Sequence, residues 1–444
     1  MTVKTKCFDL QQIRLLDGPF KDAMLRDQQF LLQIEPDRLL HNFRVTAGLP
    51  STARPLGGWE APDSELRGHF LGHYLSACAL MYASTSEARF KQRVDQIVAG
   101  LAECQNALPT QGYHPGFLSA YPEEFFDRVD RRFPVWAPYY TLHKILAGLV
   151  DAYQHCGIAA ALHVLENLAG WLQFRVGRLT HEQMQIALDN EPGGINESLL
   201  DLYAITGKLE HLALAQAFNH ELVLEPLARG EDRLDRMHAN TQIPKAIAAA
   251  REYELTGDET MRTVAEFFWQ RVALHRSYAI GGNSDDELFF PIDRFDQHLS
   301  SVTAETCNTH NMLKLTRHVF AWQPSAQLMD FYERALFNHI LGSQDPETGY
   351  MIYFASLKPG HFKVYNTPDD SFWCCTGTGL ENHAKYGDTI YFYDADSLFV
   401  NLFIASELTW QDKGVFVRQE TRFPEQDTTR LTLRCERPIR LGIK

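Results

Sequence analysis

Apolar residues return every three or four positions along most of the chain, which is the spacing of one face of an α-helix. The period is clearest at residues 145–153 and 199–205. Several segments share one plan, in which an apolar helix ends near an aromatic residue and a short turn leads into a second amphipathic helix. The turns recur at intervals of about 50 to 70 residues, and they begin at Tyr82, Tyr153, Tyr203, Tyr253 and Phe320.

This loose repeat predicts a mainly α protein in which residues 21–390 form an (α/α)6 barrel, a toroid of helical hairpins. Gly207 and Gly257 each follow a threonine at the end of a repeat helix. A residue in the left-handed conformation commonly ends a helix, and glycine adopts that conformation most easily. We therefore expect both glycines to terminate helices.

The pattern changes after about residue 390. Residues 397–405 and 429–435 are enriched in Thr, Val and Phe and alternate as strands do. They predict the start of a β-sandwich domain over residues 391–444, which is expected to be incomplete because it has too few strands. Strand-like residues near Phe8 predict that an N-terminal segment, residues 1–20, pairs with this β-rich segment.

Size and charge narrow the classes of function. A chain of 444 residues is longer than a single core usually supports, so we expect two domains or one large barrel. The formal net charge of −14 argues against nucleic acid or an anionic membrane as a partner, because phosphate binding needs a basic surface. Neutral polar ligands such as sugars remain compatible with this charge.

The chain has no targeting or membrane-spanning pattern. No stretch approaches the run of about 18 uninterrupted apolar residues that a transmembrane helix needs. The first ten residues lack the apolar core of a signal peptide. We therefore expect the chain as given to be cytoplasmic, or periplasmic or secreted if a leader has been removed.

Eight cysteines in a chain of this length do not form a disulfide framework. Cys78, Cys104 and Cys156 lie on apolar helical stretches, where cysteine behaves as a small buried hydrophobe. We expect these three side chains to be part of the core.

Three further cysteines and a glutamate suggest a metal site. Glu305 and Cys307 are two positions apart, and the adjacent pair Cys374 and Cys375 follows 67 positions after Cys307. Adjacent thiolates repel and oxidise easily, whereas three thiolates and a carboxylate would complete a tetrahedral zinc shell. Glycines within residues 376–379 are expected to give a loop the freedom to turn both sulfurs toward one metal. From the residues alone, structural zinc and catalytic zinc are about equally supported.

A Gly-rich acidic loop at residues 281–287 ends 18 residues before Glu305. A carboxylic acid in this loop would act as a general acid if burial or nearby negative charge raised its pKa. The other interpretation is a solvated acidic turn. Only the position of this loop in sequence near the metal motif favours a catalytic role.

Histidines form a third group of candidates. Glu65, His69 and His73 are spaced four residues apart on one helix face, which favours a pair of histidines lining the interior over a metal site. His143 and His238 each open a helix of the repeat, and helix openings of a toroid can face its central cavity. Four aromatic residues near these openings suit either stacking on sugar rings or ordinary core positions: Trp59, Trp136, Tyr139 and Tyr140.

Four segments together resemble the β-L-arabinofuranosidase clan of glycoside hydrolases, the zinc-cysteine retaining enzymes of families 127 and 146. These segments are GGWE at 57–60, GHFLGHY at 68–74, ETCNTHNML at 305–313 and SFWCCTGTG at 371–379. The similarity covers nearly the whole chain, and the Glu-x-Cys plus Cys-Cys pattern is specific. The resemblance implies a retaining exo-enzyme that carries a zinc ion. It also implies an (α/α)6 catalytic barrel that is followed by β-sandwich domains.

The resemblance also implies roles for the cluster. Cys374 matches the family's nucleophile, which is bound to the zinc ion. Cys374, Cys375, Cys307 and Glu305 match the zinc ligands, and Glu287 matches the acid/base residue. In this scheme the thiolate attacks the anomeric carbon while Glu287 protonates the leaving oxygen, and Glu287 then activates the water that releases the sugar.

Four more residues match positions that contact the sugar in that clan: His143, His238, Glu333 and Tyr353. The chain departs from the better-known branch at one point, because GGINE at residues 193–197 stands where that branch has a His-Pro-type helix opening. Contacts with the sugar or with the next unit are expected to differ there.

The sequence is compatible with three functions. The leading hypothesis is release of terminal β-L-arabinofuranose from plant-type glycans. The second is a sugar epimerase or polysaccharide lyase on an (α/α)6 barrel, which would use His and Tyr for proton transfer and would not need the cysteines. The third is a non-catalytic carbohydrate-binding protein with structural zinc.

Overall fold

The computed structural model describes residues 3–444, and helices occupy most of residues 19–384. The first eight helices are α1 Pro19–Gln33, α2 Pro36–Thr46, α3 His69–Thr85, α4 Ala88–Ala107, α5 Glu124–Asp130, α6 Pro138–Cys156, α7 Ala159–Val176 and α8 His181–Ala187. The others are α9 Ile195–Thr206, α10 Leu209–Ala217, α11 Glu221–Ala228, α12 Ala239–Thr256, α13 Glu259–Trp269, α14 Thr306–Trp322, α15 Ala326–Ala335 and α16 Cys374–Ala384.

Six of these helices form a closed inner ring. Helix α3 packs against α6, α6 against α9, α9 against α12, α12 against α14, α14 against α16, and α16 returns to α3. Each inner helix also packs against an outer partner: α4, α7, α10, α13, α15 and α1. A closed ring of six inner helices, each backed by an outer helix, is an (α/α)6 barrel, so the predicted fold class is confirmed.

The inner helices α3 and α6 approach so closely that only glycine fits between them. A Cβ atom on Gly72 would lie 2.2 Å from the backbone carbonyl of Lys144, and one on Gly148 would lie 2.7 Å from the Gly72 oxygen. At the ends of helices, Gly207 and Gly257 have φ values of 68° and 81° and terminate α9 and α12, as predicted. These glycines set the spacing and the lengths of the inner helices.

Eight short strands make two sheets. The strands are β1 Lys6–Cys7, β2 Ile13–Leu15, β3 Tyr391–Tyr393, β4 Ser397–Val400, β5 Ser406–Trp410, β6 Val415–Thr421, β7 Thr429–Cys435 and β8 Gly442–Ile443. One sheet has the order β1-β3-β4-β8 and the other the order β2-β5-β6-β7. All neighbours are antiparallel except β4 and β8.

The N-terminal strands belong to the same sheets as the C-terminal ones. Lys6 lies opposite Tyr393, and Ile13 lies opposite Leu408. The Phe8 ring packs against Tyr393 and Trp410 at centroid distances of 4.6 and 5.1 Å. The chain therefore enters the barrel from the sheets and returns to them after α16. Within residues 3–444, no helix has the length and apolar character needed to cross a membrane.

The close approach of α3 and α6 can be tested by replacing Gly72 with alanine. Because the added methyl group would meet backbone rather than a movable side chain, we expect a loss of unfolding free energy of about 2 kcal/mol or more. The matched control is Gly170→Ala on α7, where a Cβ atom has no neighbour within 4 Å. That change should be neutral or stabilising by about 0.5 kcal/mol. Equal midpoints of denaturant unfolding for the two variants would contradict the packing argument.

Candidate active site and metal centre

The four predicted metal ligands are brought together at the starts of two inner helices. Glu305 immediately precedes α14 and Cys307 lies in its first turn, while Cys374 and Cys375 are the first two residues of α16. All four side chains are buried, and one ligand atom from each lies within 4.8 Å of the others. The group could therefore hold a metal ion.

The two adjacent cysteines face one point because they lie in a helix. Successive side chains of a helix are about 100° apart, whereas those of a strand point to opposite faces. The prediction of a flexible loop at residues 376–379 is wrong, because these residues belong to α16. Their glycines serve close packing instead: a Cβ atom on Gly377 would lie 2.4 Å from the His73 ring, and one on Gly379 would lie 2.6 Å from Met351.

The spacing of the ligand atoms fits a tetrahedral shell. The Cys374 sulfur lies 3.9 Å from the Cys375 sulfur, which lies 3.2 Å from that of Cys307. Glu305 Oε1 is 4.0 Å from Cys374 Sγ and 3.8 Å from Cys375 Sγ. Ligands at ~2.3 Å from a central ion are about 3.8 Å apart in a tetrahedron. The second oxygen, Glu305 Oε2, is buried and has no hydrogen-bond partner, which leaves it available to a cation.

The three thiols differ in their acidity. Burial raises the pKa of the Cys307 and Cys375 thiols well above the usual value. Burial also raises the pKa of Cys374, but hydrogen bonds with Cys307, Cys375 and Tyr353 outweigh it and leave the pKa well below the usual value. These hydrogen bonds favour the thiolate form of Cys374, and the thiolate is the nucleophilic form of a thiol.

Glu287 lies in a strained segment beside the cluster. Its φ is 64°, and Ser284, Asp286 and Ala304 also have positive φ values, which non-glycine residues rarely adopt. The backbone oxygen of Glu287 accepts a hydrogen bond of 2.7 Å from Ala239, the first residue of α12. Residues in such conformations persist where the surrounding structure fixes them, and they cluster at functional sites.

Tyr353 connects Glu287 to Cys374. The Tyr353 hydroxyl donates a hydrogen bond to Glu287 Oε1 and lies 3.5 Å from the Cys374 sulfur. On its other side, Glu287 Oε2 lies 3.6 Å from His238 Nε2. The interaction with the His238 ring lowers the pKa of Glu287 and outweighs the opposing effect of its burial. Burial lowers the pKa of His238, but the Glu287 and Glu191 carboxylates raise it above the usual value.

His143 is buried on α6 and is held in one tautomer. Its Nδ1 accepts a hydrogen bond of 3.0 Å from the backbone N–H of Gly194, so the neutral ring carries its hydrogen on Nε2. Burial and the nearby Lys144 charge hold the pKa of His143 well below the usual range. The absence of a side chain at Gly193 permits this contact, because a Cβ atom there would lie 2.8 Å from Nδ1. His143 is thus a neutral hydrogen-bond donor.

Comparison with known proteins assigns the family. Residues 12–388 match the model of the GH127 catalytic domain of β-L-arabinofuranosidases, and residues 397–444 match the model of the GH127 middle domain. The chain belongs to the GH127 β-L-arabinofuranosidase family. It is therefore a glycoside hydrolase, and the resemblance drawn from its sequence motifs is confirmed.

Solved GH127 structures share the fold. A GH127 β-L-arabinofuranosidase from Geobacillus stearothermophilus T6 is similar with a TM-score of 0.74 and 20% identity, over 97% of this chain and 74% of that one. A second structure, described as a GH127 β-arabinofuranosidase, has a TM-score of 0.76 and 17% identity, over 97% of this chain and 70% of that one. None of the curated proteins compared is similar to the chain.

One residue predicted from the GH127 resemblance is not part of this site. Glu333 lies on the outer helix α15 and lines a cavity with Phe320, Met329, Phe399 and Lys444, between the barrel and the β-rich segment. An outer helix of the toroid faces away from the central cavity. The structure therefore does not bring Glu333 to the cluster. It does bring Tyr353, which contacts Cys374 and Glu287, and His238, which contacts Glu287, whereas His143 contacts Gly194 just before α9.

Sequence reasoning missed two side chains of the GH127 site. Burial raises the pKa of the Glu191 carboxyl, whose charged neighbours include His238, Cys374 and Glu287. The Tyr140 hydroxyl is buried without a hydrogen-bond partner, and its ring packs in a small cluster with the three cysteines. Glu191 could have been recognised in the sequence by its position shortly before Gly193 and Gly194, the glycine pair that precedes α9. Tyr140 was noted only as a stacking or core residue.

His69 and His73 line the interior, as expected, and contact other carboxylates than Glu65. His69 Nδ1 lies 2.8 Å from Glu60, and His73 Nδ1 lies 2.6 Å from Glu381. The Nε2 atoms of both rings are buried and have no hydrogen-bond partner. Burial lowers the pKa of His73 to about 4, so this ring is neutral at physiological pH.

Metal content tests the cluster. The wild-type protein is expected to retain one zinc ion per chain after dialysis, and Cys307→Ser is expected to lose most of it, because the thiolates supply most of the affinity. The control is Cys435→Ser, since Cys435 is an exposed free thiol on β7. Elemental mass spectrometry gives the stoichiometry. Equal metal contents in the two variants would show that the ion is held elsewhere.

Proposed function

We propose that the protein is a retaining exo-β-L-arabinofuranosidase that releases terminal β-L-arabinofuranose from plant-type glycans. Cys374 would be the nucleophile, Glu287 the acid/base residue, and Glu305, Cys307, Cys374 and Cys375 the ligands of a zinc ion. The GH127 assignment supports the glycosidase over an epimerase, a lyase or a non-catalytic binding protein.

The observation that carries the proposal is the bridging position of Tyr353. Its hydroxyl contacts both Glu287 Oε1 and Cys374 Sγ. A single bridging oxygen keeps these two atoms within about 6 Å of each other, close to the ~5–5.5 Å between the two catalytic groups of retaining glycosidases. Inverting enzymes need a wider separation, because a water molecule must fit between the sugar and the base.

In the first half of the proposed reaction, the Cys374 sulfur attacks the anomeric carbon as the bond from that carbon to the leaving oxygen breaks. Glu287 gives the leaving oxygen a proton. In the second half, Glu287 takes a proton from water, the water oxygen bonds to the anomeric carbon, and the carbon–sulfur bond breaks. The two inversions give net retention, and Cys374 and Glu287 return to their starting states.

Zinc held by the cluster would supply positive charge that keeps the thiols ionised and stabilises sulfur as a leaving group. The protein contributes to the same end through the starts of α14 and α16. Their unpaired backbone N–H groups and helix dipoles favour negative charge on Cys307, Cys374 and Cys375. The buried oxygen of Glu305 without a partner supports its role as a ligand.

The proton for the leaving group is shared by His238 and Glu287. The lowered pKa of Glu287 and the raised pKa of His238 favour placing the proton that the pair shares on His238 rather than on Glu287. When bound substrate separates His238 from Glu287, or accepts a proton from Glu287, the proton held on His238 is used. His238 is therefore proposed to store the proton that Glu287 delivers.

Synthetic glycosides test the substrate and the nucleophile. We expect p-nitrophenyl β-L-arabinofuranoside to be cleaved at least ~100-fold faster than the α-anomer or any pyranoside, with loss of activity on zinc removal. Cys374→Ser and Glu287→Gln should each lower kcat by about 10³-fold or more, and Cys435→Ser should not. NMR of the first-formed sugar should show retained configuration. Near-normal turnover by Cys374→Ser would exclude the cysteine nucleophile.

A pH profile tests the proton store. Activity that needs the shared proton is present below the raised pKa of His238 and is lost as the pH rises through it. In His238→Asn the proton can sit only on Glu287, so the alkaline limb of kcat/KM should move down by about one pH unit or more. His114→Asn is the control, because His114 is half-exposed and pairs with Glu123. An alkaline limb that does not move would assign the titration to another group.

A further inference from the structure

A pair of tryptophans continues the wall of the site out to solvent. Trp59 packs edge-on against Tyr353 at a centroid distance of 6.2 Å and against Trp136 at 5.0 Å. Tyr353 is the side chain that contacts both Cys374 and Glu287. A continuous aromatic surface therefore runs from the reacting atoms to Trp136, whose relative exposure is 44%.

The backbone of Trp136 is fixed on both sides. Its N–H donates a hydrogen bond of 2.8 Å to Glu65, and Glu65 in turn receives one of 2.7 Å from Arg128. Its carbonyl accepts a hydrogen bond of 2.5 Å from Asn190, the residue before Glu191. An exposed tryptophan held in this way can bind a ligand without a large cost of ordering.

Exposure increases from the cluster to the tryptophans. Cys374 and His143 are 4% and 7% exposed, the side chains of His238 and Glu287 about one third, and Trp136 is the most exposed. A terminal sugar between Cys374 and Glu287 would occupy the buried part. Its leaving group must then extend past Glu287 toward solvent, where Trp59 and Trp136 lie.

We propose that Trp59 and Trp136 form the subsite for the leaving group, and that this group is a neutral sugar ring. The proposal rests on the glycosidase function proposed above. Aromatic faces bind the apolar face of a sugar, and an amphipathic ring such as tryptophan suits a surface that is partly wet. The charges at the mouth disfavour an acidic sugar, because Glu191 and Glu287 lie there and the Arg128 cation is paired with Glu65.

The subsite is tested by comparing leaving groups in the Trp136→Ala variant. Three β-L-arabinofuranosides serve as substrates: a methyl glycoside without a second ring, a p-nitrophenyl glycoside, and a disaccharide with a second neutral sugar. We expect the ratio of kcat/KM for the disaccharide to that for the methyl glycoside to fall about tenfold or more. Trp136→Phe should recover part of the ratio, since it keeps an aromatic face.

Phe174→Ala is the matched control. Phe174 is 47% exposed on the outer helix α7 and packs against His114 at a centroid distance of 4.7 Å, away from the cluster. Its removal should leave the ratio unchanged. Circular dichroism and metal content identify any variant that fails to fold, and Trp136→Phe then gives the comparison.

The outcomes separate this proposal from the function on which it rests. An unchanged ratio in Trp136→Ala, with normal hydrolysis of arabinofuranosides, would overturn the subsite alone. A loss confined to the p-nitrophenyl glycoside would show that Trp136 binds flat aromatic groups and would overturn the sugar assignment. A wild-type enzyme that cleaves none of the three glycosides would instead overturn the proposed function.

Discussion

The convergence of six inner-helix N-termini on one end of the barrel is the constraint on which the site depends. Five inner helices have an ionisable group at their start or in their first turns: His69, His143, His238, Glu305 and Cys374. Glu191 lies in the segment that leads into the sixth, α9. Helix N-termini carry partial positive charge and unpaired N–H groups, so they partly offset the cost of burying carboxylates and thiolates. The convergence requires a closed ring, and the ring closes tightly at Gly72 between α3 and α6.

The parts of this structure that follow from local sequence patterns could be predicted. The recurring helical period indicates a toroid because every hairpin must bury its apolar face against the next. The Glu/Cys cluster could be predicted because three thiols in polar surroundings have few other stable arrangements. Neither inference needs distances between remote segments. They required only residue type and spacing.

Whether a side chain reaches the central cavity depends on whether its helix belongs to the inner or the outer ring. A short sequence motif does not show which ring a helix joins. Glu333 matches a sugar-contacting position of the family, but α15 is an outer helix and places Glu333 at the junction with the β-rich segment. The reverse holds for Glu191, which was not predicted and which lies in the segment that leads into the inner helix α9. The glycines at residues 376–379 show a related limit: sequence indicates backbone freedom, whereas in the helix they admit His73 and Met351.

The Glu/Cys cluster and the proposed leaving-group subsite are built on different kinds of structure. Glu305, Cys307, Cys374 and Cys375 lie buried at the starts of two inner helices, whereas Glu287, the proposed acid/base residue, lies on a loop. Trp59 and Trp136 lie outside the α-helices, and hydrogen bonds on both sides hold the Trp136 backbone. Because loops tolerate change better than packed helices do, the outer wall can vary without disturbing the cluster. The buried cluster is therefore separate from the outer wall that is proposed to bind the leaving group.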